Sequence, residues 1–286
     1  MVPMPLAFWT GEPLFGFSDD GPRPHVLIYA AQPNGHSSAH EMLVADQGHR
    51  RRLATVLGPT RAAALWALGA PRGLSAHREV VMGFYGKQVL PRIINVACGT
   101  KAAEPLRRRV CGGLEGEVVE LGFGSGLNVP FYPAAVTRVT AVEPSDVGWK
   151  LAAERVKAAT VPVRRSGLDG QSLPFPDDSY DAALSTWTLC TIPDVDAALR
   201  EVRRVLKPGG TLHFLEHGLA PDEQVRRWQR RLDPVEYRLA GGCHFTRPIV
   251  DLLTAAGFTL GEVDVFYEQG APKFAGADSM GTAVSP

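Results

Sequence analysis

Residues 118–130 read VVELGFGSGLNVP. A short apolar run, Val118 to Leu121 with Glu120 inside it, feeds a turn with glycines at 122, 124 and 126. A run of this length bounded by glycine is a buried strand. Glycine tolerates positive φ and, lacking a Cβ, lets backbone lie close against a ligand. The chain therefore starts its core with a strand that ends in a cradle.

Downstream of this turn, strands and helices alternate. Strand patterns at 117–121, 138–142, 161–165, 181–186 and 211–216 are separated by helical patterns at 146–158 and 194–206. Ser145 stands as N-cap of the first of these helices, and KPGG at 207–210 stops the second. Helices at 221–239 and 248–256 and strands at 259–267 and 279–284 complete the order. Short connections between alternating elements predict an α/β, Rossmann-like, doubly wound seven-stranded and mostly parallel sheet.

Upstream, REVVMGFYGKQVLPRIINVACG has helical spacing interrupted at Pro91, and EPLRRRVCGGL adds a second amphipathic piece. The domain reading is an N-terminal extension at 1–78, of a composition that allows partial disorder, a helical cap at 79–112 and the ligand-binding domain at 113–286. Within the extension, RRRLATVLGPTRAAALWAL suggests a helix at about 49–68, split by Gly58 and Pro59.

Thirty basic and thirty acidic residues cancel. With no basic surplus, nucleic acid is not an expected partner. The four cysteines form no CxxC pair, and no His/Cys spacing suggests a metal, so free thiols in a cytoplasmic protein are expected. No apolar run approaches the roughly 18–20 residues of a membrane helix, and the first residues lack a signal-peptide pattern. Arg226, Arg227, Arg230 and Arg231 give one helix a basic face, either simply solvated or suited to peripheral contact with anionic lipid. Oligomeric state is not encoded in any motif.

The glycine spacing narrows the ligand. A dinucleotide fingerprint is GxGxxG, but here the spacing is GxGxG with Leu127 at the sixth position, and there is no GxxxxGK[ST]. Glu120 before the turn disfavours a phosphate and suits an ammonium group. Glu143, at the tip of the second strand, is placed to accept both hydroxyls of a ribose. A nucleoside joined to an amino acid without phosphate describes S-adenosylmethionine.

With ELGFGSG (120–126), VEPS (142–145), GLDGQSLPFPDDSYD (167–181) and LKPGGTLHFLEHG (206–218), the sequence resembles the class I S-adenosylmethionine-dependent methyltransferases. The resemblance implies that Asp169 bonds the adenine amino group, that the Gly170 backbone reads the ring, and that Gly122, Gly124, Gly126, Asn128, Pro144 and Thr186 complete the cofactor site. STWTLCTIPD (185–194), WQRRLDPVEYRLAGGCHFTR (228–247) and FYGKQVLPRIINVACGT (84–100) are similar to the branch that includes animal alkyl-thiol S-methyltransferases and bacterial relatives. That implies a small, apolar acceptor, with a thiol first and amine, hydroxyl, lipid or quinone as alternatives. A non-catalytic S-adenosylmethionine-binding role is a further alternative.

Methyl transfer needs alignment, and a base only if the nucleophile arrives protonated. The candidate catalytic residues are His217 and Glu216 after the fifth strand of the domain and His244 in GGCHFTR. His217 either takes a proton or bonds a nearby carbonyl. Glu216 either orients it or is structural. Arg247, Tyr85, Trp187, Thr188 and Cys190 are candidates for contact with either ligand.

Overall fold

The glycine turn can act as a cradle only if its strand is central, and it is. A computed structural model describes residues 25–31, 37–43 and 83–286, and divides the chain into two compact units, Met1–Ala76 and His77–Pro286. In the first unit β1 (His25–Ala31) and β2 (Ser37–Leu43) form an antiparallel hairpin in register His25↔Leu43 to Ala31↔Ser37. The sequence pattern predicts no strands there. The available signal is a turn-prone Pro33-Asn34-Gly35 between them. The helix expected at 49–68 lies outside the described residues.

The described part of the second unit begins with helix at 83–84 and passes through one π-helical turn, Tyr85–Val89, to α1 (Leu90–Ala97) and α2 (Glu104–Cys111). Pro91 falls where the sequence suggests a kink or a break, at the junction of the π-helical turn and α1. It sits in the first turn of α1, where its missing N–H is tolerated, and the preceding turn is widened so that Leu90 N–H reaches the Tyr85 carbonyl.

The core is β3 (Gly116–Leu121), β4 (Val136–Val142), α3 (Asp146–Lys157), β5 (Val163–Arg165), β6 (Tyr180–Thr186), α4 (Val195–Val205), β7 (Leu206–His217), α5 (Glu223–Leu239), α6 (Ile249–Ala255), β8 (Thr259–Tyr267) and β9 (Ala277–Val284). The sheet order is β5-β4-β3-β6-β7-β9-β8. β3 pairs in parallel with both β4 and β6, whereas β9 runs antiparallel between β7 and β8. Chain order reverses at β3, and its carboxyl end is where such sheets bind ligands.

Strand residues divide by parity between two cores. Val119, Ala183 and Phe214 face one layer with Leu199 and Leu253. Val118, Leu184 and Leu215 face the other with Leu114 and Phe123. Each fully buried leucine contributes about 1.5–3 kcal/mol, so the sheet is clamped from both sides. Ser145 caps α3, its Oγ accepting from Gly148 N–H at 3.0 Å.

The KPGG segment differs from expectation. It does not lie between helix and strand but inside β7, as an irregularity opposite Tyr180–Ala182. Gly209 has φ +80°, Gly209 N–H donates to Ser285 O at 2.9 Å, and Ser285 N–H donates to Gly210 O at 2.8 Å. Ser285, the residue that follows β9 (Ala277–Val284), pins the bulge.

Candidate functional site

At the end of β3 the backbone turns through Gly122 and Gly124, with φ of +62° and +57°. A Cβ on Gly122 would overlap the Thr188 side chain, whereas one on Gly124 would meet nothing nearer than Gly122 O at 3.7 Å. Gly122 is thus required by packing. Gly124 has open space above it, and Gly124 N–H donates to Glu143 Oε2 at 2.5 Å.

This space belongs to a cavity of about 580 Å³. From the turn come Gly122, Gly124 and Asn128; from the end of β4, Glu143 and Pro144. Asp169 and Gly170 arrive on the loop after β5, and Thr186 at the end of β6. Eight of the ten residues expected for the cofactor therefore share one wall system. Gly126 does not line it: a Cβ there would press on Ala152 and Phe123, each at 3.2 Å, so it serves packing.

Glu143 is 5% exposed, and Ser145 N–H donates to its Oε1 at 2.6 Å. Burial raises its pKa. Each oxygen already accepts one backbone bond, and an ionised carboxylate has further lone pairs for a bound hydroxyl. Asp169 is exposed and accepts from Gln171 N–H at 2.9 Å and Gln171 Nε2 at 3.0 Å; those bonds hold its pKa below the usual range.

Glu120 stands elsewhere than expected. It is 1% exposed, does not line the cavity, and its carboxylate accepts from Asn128 Nδ2 at 2.8 Å and from the Tyr132 hydroxyl. Burial pushes it up to about 7. Asn128 also donates to Thr186 Oγ1 at 2.9 Å and accepts from Arg107 Nη1 at 2.7 Å. The bonds of the acid run to Asn128 and Tyr132, and Asn128 and Arg107 line the cavity. Arg107 was missed: it is one of three consecutive arginines, and nothing in that run marks the one that turns inward. It is 5% exposed, its guanidinium lies 4.8 Å from the Trp187 ring centroid, and its Nε has no partner among the described residues.

The expected catalytic residues part company. Glu216 is fully buried, away from the cavity. It accepts from Ser185 Oγ at 2.6 Å and Thr188 N–H at 2.8 Å, with burial lifting it to about 7. It anchors the loop that starts at Trp187, a residue held at φ +49°. Its place is structural because both oxygens face the loop's own donors.

His217 lies edge-on behind Trp187, ring centroids 6.2 Å apart, and is not in the cavity wall. Burial pulls its pKa down to about 4. Asp278, fully buried beside it at 3.9 Å from His217 Nε2, is raised to about 6 by burial. His244 lines a second cavity of about 410 Å³, with Asp233 as its partner. Trp187 and Thr188 do line the first cavity; Cys190 is buried beneath it, and Tyr85 and Arg247 line the second. No helix among the described residues is long and apolar enough to cross a membrane.

Comparison with known proteins agrees with this geometry. Residues 119–214 match the family model described as a methyltransferase domain. The chain is 37% identical over 134 residues to Thiol S-methyltransferase TMT1B of Rattus norvegicus, covering 46% of this chain and 54% of that protein. It is 34% identical over 154 residues to Thiol S-methyltransferase TMT1A of Homo sapiens, covering 50% and 59%. The chain thus spans little more than half the length of these curated relatives. A solved SAM-dependent methyltransferase from Thermotoga maritima shares the fold, with TM-score 0.51 and 22% identity over 72% of this chain and 99% of that one. Residues 119–214 of this chain thus carry a methyltransferase domain.

Proposed function

We propose that this chain transfers a methyl group from S-adenosylmethionine to a small thiol. The observation that carries the reading is the single cavity joining the glycine turn, Glu143 and Asp169 to an inward-facing Arg107. The residues present fit the cofactor. The backbone at Gly124 lies against open space, Glu143 offers lone pairs to a ribose, and Asp169 with Gly170 sits where an adenine edge would end. Arg107, buried with an unpartnered Nε, suits the carboxylate of the methionine end. Pro144, Asn128 and Thr186 complete the wall. Bound there, S-adenosylmethionine supplies an electrophilic methyl. The protein's part is to align the acceptor and exclude water, which is worth up to about 7–11 kcal/mol of barrier.

The catalytic unit in this reading is the cap with the sheet domain, from about residue 79 onward. Thiol as acceptor rests on the similarity to the thiol S-methyltransferases. All four cysteines are free, which suits a reducing compartment such as the cytoplasm. Calorimetry with S-adenosylmethionine, followed by mass spectrometry of thiol, phenol, amine and lipid acceptors, tests it. Cofactor binding with methyl thioether formation is the expected result. NADH binding in place of S-adenosylmethionine, or methylation confined to lipid or quinone, overturns it.

A further inference from the structure

The second cavity adjoins the first, and the two share Gly86, Leu90, Thr191, Pro193 and Gly241 along their walls. The cap helices, the loop after β6 and the segment after α5 converge there. His244, in that last segment, is fixed on several sides. Its N–H donates to Cys190 O at 3.0 Å, the Tyr237 ring lies 5.0 Å away at a tilt of 37°, and its Nδ1 is 2.8 Å from Asp233 Oδ2. The other oxygen of Asp233 accepts from Thr246 N–H and Thr246 Oγ1, both at 3.2 Å. A carboxylate only accepts, so in the neutral ring Nδ1 carries the proton and Nε2 holds the lone pair. Among the described residues the ring's hydrogen bond is the one at Nδ1, and Nε2 takes part in none.

We infer that the second cavity receives the thiol acceptor and that His244, oriented by Asp233, takes its proton. The inference rests on the methyltransferase reading. Even a thiol as acidic as that of cysteine, with a pKa near about 8.5, is only a few per cent ionised at neutral pH. The S–H proton passes to His244 Nε2. The sulfur's electron pair forms the new S–CH₃ bond and displaces a neutral thioether, and the imidazolium returns its proton to solvent. Asp233 holds the ring by its Nδ1. Arg238 and Arg247, which line the same cavity, favour a thiolate there, while the Tyr85 and Tyr237 hydroxyls complete its titratable groups. Arg247 is itself fixed, donating through Nη1 to Leu189 O at 2.5 Å. Asp233 is a positioning residue, and His244 the one that meets the acceptor.

Two thiols separate this from a packing role. His244→Gln should lower kcat/KM for an alkyl thiol about tenfold or more, yet change it less than about twofold for an electron-poor aryl thiol that is already ionised. Asp233→Asn should follow the same pattern more weakly. Equal losses for both thiols, or no loss for either, overturn the assignment. A second readout needs no cofactor: in ¹⁵N-histidine spectra of the wild-type chain at pH 8, the alkyl thiol should shift the His244 ring signals. Asp233→Asn should erase the Nδ1–H preference. A signal unmoved by a thiol that the wild type methylates counts against the site. If the wild type methylates no thiol, it is the underlying reading that falls, and this one with it.

Discussion

At the proposed cofactor end, Gly122, Gly124, Glu143 and the Ser145 cap all come from one stretch between β3 and α3. At the proposed acceptor end, Tyr85, Thr191 and His244 come from three segments far apart in the chain. The first end is made of backbone and a buried carboxylate, with geometry set locally by positive φ and a helix start. The second depends on how the cap, a loop and the end of α5 meet. The contrast teaches that one end is a property of a motif and the other of assembly. Damage to the motif should therefore abolish binding, while damage to the assembly should redistribute selectivity.

The sharpest break is Gly122→Val. The residue sits at φ +62°, and any Cβ overlaps Thr188, whose N–H is held by Glu216. A β-branched residue there combines left-handed strain with overpacking, together about 2–5 kcal/mol. Denaturant unfolding should show that loss, and calorimetry at least a tenfold weaker cofactor. Unchanged stability and affinity would mean that the turn is not the rigid element the contrast requires.

Behind Trp187, which lines the first cavity, His217 offers a test of burial. Its pKa is lowered to about 4 when folded, against an ordinary value near 6.5. Between those values the unfolded chain binds the extra proton, so this residue makes stability rise with pH from about 4 to 6.5 and holds it level above. Glu216 and Asp278, with pKa values raised to about 7 and 6, act in the opposite sense over an overlapping window, so the wild-type curve alone does not isolate it. His217→Gln does. Relative to wild type, the variant should gain up to about 3 kcal/mol on going from pH 7 to pH 4. A difference independent of pH would show that the imidazole is solvated when folded and stands closer to the site than Trp187 allows.

Glu143→Ala probes the other end with a smaller effect. The carboxylate accepts Gly124 and Ser145 N–H groups while facing the cavity, so its removal takes both a ligand contact and a brace from the turn. Cofactor affinity should fall by about 1–3 kcal/mol, read by calorimetry, with thiol KM little changed. A selective rise in thiol KM would reverse the assignment of the two ends.

Much of this contrast was legible in residues. The mostly parallel sheet followed from alternation, and the cradle from GxGxG, because both are local. Glu120 stands apart from the motif reading: its side chain bonds Tyr132 and Asn128 and does not line the cavity. Arg107 and Asp233 were not found, since each acts across the fold, Arg107 on Asn128 and Asp233 on the ring of a residue beyond the end of its own helix. KPGG read as a helix stop because proline and glycine end helices. The pattern could not carry the role of Ser285, which bonds both sides of the bulge.

Ser145→Ala has the smallest effect and bears most directly on how local the cofactor end is. Ser145 donates its N–H to Glu143 and accepts Gly148 N–H on its hydroxyl, so one residue serves both the carboxylate and the helix start. Alanine keeps the first bond and loses the second. Loss of such a cap costs about 0.5–2 kcal/mol. If the cofactor end is set by backbone, stability should fall by that amount while cofactor affinity changes less than about threefold, a ratio worth under about 1 kcal/mol. An affinity loss as large as that of Glu143→Ala would mean that the helix start itself contacts the ligand, and that end too would then depend on assembly.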